Sequence, residues 1–147
     1  MKELLVQLNQ FGQATDNSNQ VPSEIIEPQM QIIREYIEDG LPIIQGKNNW
    51  NYMGPIGNTV VLTSKPIRGT KTIVSAASLP PNCLVIGGVE TIKSTITSVD
   101  KITVVRVETK YFSKGKKIHI PEEFVLQDPV LIINDNCQIQ TYVRSKK

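Results

Sequence analysis

Histidine, cysteine and alanine are scarce in this chain, and each scarcity closes off a class of protein. There is one histidine, His119, and there are two cysteines, Cys83 and Cys137, in 147 residues. Zinc and iron centres draw on several His, Cys or carboxylate ligands at set spacings, and the sequence offers no such set. Two cysteines so far apart make no disulfide framework and read as small buried strand residues. Three alanines and nine leucines are few for a helical protein. Long apolar runs are missing too: none approaches the ~20 residues that span a bilayer. The first residues also lack the apolar stretch and small-residue cleavage site of a signal peptide. The expectation is a chain made in the cytoplasm, with no membrane partner.

The usual catalytic constellations are equally thin. His119 lies in the alternating run Lys117-Ile118-His119-Ile120, where the isoleucines point inward and the imidazole outward. No serine is framed as Gly-x-Ser-x-Gly, and neither cysteine has a histidine partner nearby in sequence. Glu38-Asp39 and Glu122-Glu123 are adjacent carboxylates in helical turns, so they diverge rather than pair. Phosphate loops of the Gly-x-x-x-x-Gly-Lys or Gly-x-Gly-x-x-Gly kind are absent. Gly54-Pro55-Ile56-Gly57 reads as a turn entering a strand. These absences predict a non-enzyme without metal or cofactor.

What is present is β-branched weight. Ile and Val together number 33, most of them after residue 57, in short runs broken by Gly, Pro, Asn and Asp. Such side chains are stiff at the first torsion and suit a pleated surface. Strands are predicted near residues 59–63, 71–76, 83–86, 89–97, 102–112, 117–120, 130–133 and 137–144. Gly87-Gly88 reads as a two-residue hairpin turn, and Asn134-Asp135-Asn136 as another hairpin loop. Pro121-Glu122-Glu123-Phe124 reads as a single helical turn. The fold class expected is mainly β: one sandwich or barrel of about eight short antiparallel strands over residues 58–144, preceded by two short helices.

The first of those helices is read from Leu4, Leu5, Leu8 and Phe11, which share one face at helical spacing, with Gly12 as a stop. The polar run 13–20 follows as a linker, so residues 1–22 form an arm. Residues 23–147 form a single β domain led by a helix at about 28–39, which Pro28 opens and Gly40 closes. Residues 41–57 are expected to be irregular.

Charge is uneven. Residues 1–50 carry 3 basic and 7 acidic side chains, whereas residues 101–147 carry 9 and 5. Asn and Gln number 20, giving a surface rich in uncharged hydrogen-bonding groups. A small β domain with a projecting arm and a mild charge dipole suggests a non-enzymatic assembly protein working through protein–protein contacts. It would be a homo-oligomer or a subunit among others, such as a capsid, decoration or connector component of a viral or phage particle. Leu4, Leu5, Leu8 and Phe11 would then be the docking anchors. The alternative is a single-stranded nucleic-acid-binding barrel, with Lys110, Lys114, Lys116 and Lys117 on phosphates and Tyr111 or Phe112 stacking on bases.

Overall fold

The computed structural model describes residues 1–9, 12–14, 23–65, 67–87, 89–107, 116–135 and 137–145. The chain is mainly β, and its strands form a single eight-stranded mixed sheet rather than two stacked ones. In chain order the elements begin with β1 (Lys2–Asn9), β2 (Gln13–Ala14), α1 (Ser23–Glu38), β3 (Pro42–Gly46), α2 (Lys47–Met53), β4 (Asn58–Leu62) and β5 (Lys71–Ile73). They continue with a 3-10 turn, β6 (Cys83–Gly87), α3 (Val89–Thr95), β7 (Lys101–Val107), β8 (Lys116–Lys117), β9 (Phe124–Asn134) and β10 (Cys137–Arg144). The sheet order is β5-β4-β3-β6-β1-β7-β10-β9, and β2 pairs with β8 in a small separate ladder.

Six neighbouring strands, from β5 across to β7, run parallel. Only β10 runs against them, and it joins β7 to β9. Parallel strands need crossovers, and the helices supply them on both faces. One face packs Leu5, Ile43, Leu84 and Val105 against Met30, Ile33 and Tyr36 of α1. The other packs Leu4, Val6, Leu8, Ile44, Val85, Ile102 and Val104 against Val89 and Ile92 of α3 and against Ile96 just beyond it.

This double burial explains the misreadings. A strand covered on both faces reads as a continuous apolar run, without the alternation of a half-exposed antiparallel strand. Leu4-Leu5-Val6 is such a run, so residues 2–9 form the central strand β1 and not a helical arm. Likewise Ile43-Ile44 belongs to β3, inside a stretch expected to be irregular. Residues 89–95 are helical rather than a strand, since Val89, Ile92 and Ile96 recur at helical spacing and are buried. Gly87 is thus the last residue of β6, and the next described element is the crossover helix α3 rather than a strand returning along β6; Gly88 lies outside the described residues. The antiparallel sandwich and its two leading helices give way to one mixed sheet whose helices all follow β1.

Other expectations hold. The helix expected at about 28–39 is the later part of α1, which starts at Ser23, so Pro28 lies inside the helix rather than opening it; strands appear at 58–62, 71–73, 83–87, 101–107 and 137–144. Phe124 N donates to Pro121 O at 3.0 Å, closing the expected turn there. Gly57, with φ +54°, sets the entry to β4 against Ile37 at the end of α1.

Candidate functional site

In an open parallel sheet, ligands enter outside the carboxyl ends of the strands, where connections leave in opposite directions. Here the connections of the neighbours β1 and β6 leave in opposite directions, as do those of β3 and β6. The crossover from β1 carries α1 over one face toward β3, while that from β6 carries α3 over the other face toward β7. The β1–β6 ladder stops at Leu4↔Val85, although β1 continues to Asn9 beside β7 and β6 continues to Gly87. A gap in the pairing, here called the crevice, therefore begins beyond Leu4 and Val85.

On its β1 side the crevice carries amides. Gln29 of α1 donates through Nε2 to Gln7 Oε1, and Gln7 Nε2 is buried with no hydrogen-bond partner among the described residues. At the strand end, buried Asn9 donates through Nδ2 to Gln13 Oε1 at 3.0 Å and accepts from Gln13 N at 2.9 Å. Arg106 Nη1 donates to Asn9 O at 3.1 Å, and its Nε donates to Gln140 Oε1 at 2.9 Å. These bonds hold together the places where β1 and β7 leave the sheet. The β2–β8 ladder extends the join, pairing Gln13 with Lys117 and Ala14 with Lys116.

On the β3 and β4 side the crevice carries cations. Residues 41–89 hold four basic side chains, Lys47, Lys65, Arg68 and Lys71, and no carboxylate. Lys47 directly follows the end of β3, and Lys65 lies three residues past the end of its parallel neighbour β4; both are exposed. A buried amide fixes this corner. Gln45 Nε2 donates to Gly54 O at 3.1 Å and to Thr59 Oγ1 at 3.3 Å, and Gln45 Oε1 accepts from Asn49 Nδ2 at 2.6 Å. The network locks α2 between β3 and β4, and so sets where Lys47 stands.

At the opposite, amino edge, Glu3 is buried and accepts from Tyr36 OH at 2.7 Å and Thr103 Oγ1 at 2.6 Å. Burial first, and then the Glu3 carboxylate, hold the Tyr36 phenol far above its ordinary range. This cluster ties α1 to the sheet at the end remote from the crevice.

The residues singled out from the sequence are not brought together. Leu4, Leu5 and Leu8 are buried in the two faces of the chain's own core, which removes them as docking anchors; Phe11 lies outside the described residues. Lys110, Tyr111, Phe112 and Lys114 also lie outside them. Lys116 is placed by its backbone in β8, where Lys117 is exposed, and His119 is exposed nearby. The crevice residues escaped the sequence reading because amides carry no motif. The carboxylate-free stretch 41–89 was the one signal that could have found its cationic side. No protein-family model matches the chain and no curated protein is found similar to it.

Proposed function

We propose that the chain binds a phosphate-bearing nucleotide across the carboxyl ends of β3, β4 and β6, with its base or second moiety reaching toward β1. The observation that carries this reading is the early end of the β1–β6 ladder, between two strands whose crossovers pass to opposite faces of the sheet. Such a gap between neighbouring parallel strands is where open α/β sheets hold nucleotides. Lys47 and Lys65 support it, since two exposed cations in a stretch of sequence, residues 41–89, without carboxylates attract phosphate. The amide pair Gln7–Gln29 supports it too, because a buried amide nitrogen without a partner among the described residues is matched to a ligand acceptor. The amides and cations at this gap bind and orient a ligand, and Glu90, in the first turn of α3 just past β6, is the carboxylate nearest to it in sequence. Where the nucleotide is redox-active, the cofactor itself carries the electron transfer.

Trp50 of α2 follows Lys47 by one helical turn and reports on the site by fluorescence. Titration with ATP, FMN, NADH and NADPH should quench or shift that signal for at least one of them. The Lys47→Gln/Lys65→Gln double variant should bind that compound about tenfold more weakly, as expected for lost charge-assisted contacts near the surface. No binding of any of the four at millimolar concentration, or unchanged affinity in the double variant, overturns the reading.

A second reading, a non-enzymatic subunit working through protein–protein contacts, has one observation in its favour. The edge strand β9 leaves Val125, Leu126, Leu131, Ile132 and Ile133 exposed.

A further inference from the structure

Strand β9 ends the sheet beside β10 and has no strand on its outer side among the described residues. Phe124 at its start is buried, but five large apolar side chains beyond it are not. Leu131 is 57% exposed and Ile132 71% exposed, and as consecutive strand residues they point to opposite faces of the sheet. The uncovered surface is therefore the rim of the sheet rather than one face of it. Soluble proteins blunt such edges with lysines, prolines or bulges. Pro129 and two register shifts against β10 are present, but lysine is not.

The charge around this rim has one sign. Between Ile120 and Val143 there is no Lys or Arg, while Glu122, Glu123, Asp128 and Asp135 are all exposed. Arg144, which pairs with Phe124 in the β9–β10 ladder, is already held. It donates to Glu123 Oε1 at 3.2 Å and to the carbonyls of Thr97 and Val99 at 2.8 Å, with its guanidinium over the Phe124 ring. The rim is thus apolar and acidic in a chain whose net charge is +2.

We propose that β9 is a docking edge for an extended peptide segment of another protein, alternating apolar and basic residues, which adds to the sheet as a ninth strand. Main-chain pairing at an exposed edge gives such a complex its affinity, and alternate side chains give it specificity. The segment's apolar residues, which share one face of the added strand, cover the apolar side chains of β9 on that face, and its cations are drawn to Glu122, Asp128 and Asp135, Glu123 being held by Arg144. A second copy of this chain fits less well. Antiparallel pairing of β9 with itself brings Glu122 and Glu123 of each copy toward Asp135 of the other, and like charges opposed across a ladder are destabilising. This edge lies two strands beyond β7, away from the nucleotide crevice, and does not depend on it.

The test uses the full chain and a labelled synthetic peptide of alternating valine and lysine, with a valine–glutamate peptide as control. Fluorescence anisotropy should show the valine–lysine peptide binding at least about tenfold more tightly, with the preference shrinking as salt rises. Hydrogen exchange should slow across residues 124–134 when that peptide is added. Ile132→Ser and Leu131→Ser change side chains that are already exposed, so the fold survives while peptide affinity falls. Equal binding of both peptides, or protection elsewhere than β9, overturns the proposal. Concentration-dependent dimerisation abolished by Ile132→Ser also overturns it, because the edge would then belong to a second copy.

Discussion

At the scale of the residue, burial governs the two thiols. Cys83 is fully buried beneath α3 in the parallel sheet, and burial pushes its thiol up to about 11. Cys137 is shifted upward by the same cause. A raised acid keeps its proton in the folded state, so the stability tied to Cys83 is complete below its ordinary value of 9.0. That contribution is lost as pH climbs through about 11. Folded protein at pH 8 should therefore leave both thiols unreactive toward an aromatic disulfide reagent, and urea should release two equivalents. Rapid reaction without denaturant would contradict the burial. Gly57 is the other residue whose role is local. Its φ is +54°, and a Cβ there would lie 2.8 Å from Ile37 Cγ1. Gly57→Ala combines left-handed strain with a clash, and should destabilise by about 1–3 kcal/mol in urea unfolding. A neutral effect would mean that α1 moves freely against the start of β4.

At the scale of the element, what could be read depended on which periods survive double burial. Helix α1 was legible in its later part because Gly40 follows it and because Met30, Ile33 and Tyr36 return every three positions against the sheet; its start at Ser23 was not, since Pro28 lies inside it. Strands β7 and β10 were legible because β-branched residues dominate the one and alternate with amides along the other. Strand β1 was not, since Leu4, Leu5 and Leu8 fit a helical stripe as well as a strand covered on both faces. Gly87-Gly88 carries the same signal whether a chain reverses into a hairpin or leaves a strand for a crossover. Only the parallel neighbours β1 and β3 decide between them, and those were unrecognised. The crevice was invisible for a further reason: it is made where a ladder stops, and pairing across 81 residues, from Lys2 to Cys83, leaves no local trace.

At the scale of the whole molecule, β1 is the strand on which the rest depends. It pairs with β6 on one side and β7 on the other, and it delivers Leu4, Leu5, Val6 and Leu8 to both cores. Burying four such side chains is worth about 6–12 kcal/mol, comparable with the ~5–15 kcal/mol that holds a whole domain. Deleting residues 1–9 should therefore leave no cooperative thermal transition and should expose apolar surface to a fluorescent dye. A removable arm would instead leave the melting temperature nearly unchanged.

The position of β1 also fixes an order of events during synthesis. Its partners emerge from the ribosome 81 and 98 residues later, as the pairs Lys2↔Cys83 and Glu3↔Lys101 require. Until then a run of leucines waits in an incomplete chain, while β3 and β4 can already pair. Such long-range closure makes folding slow and leaves a nascent apolar segment open to chaperones or to neighbouring chains. The strand made first is thus among the last to be satisfied, and the nascent chain stays vulnerable to aggregation until β7 has been made.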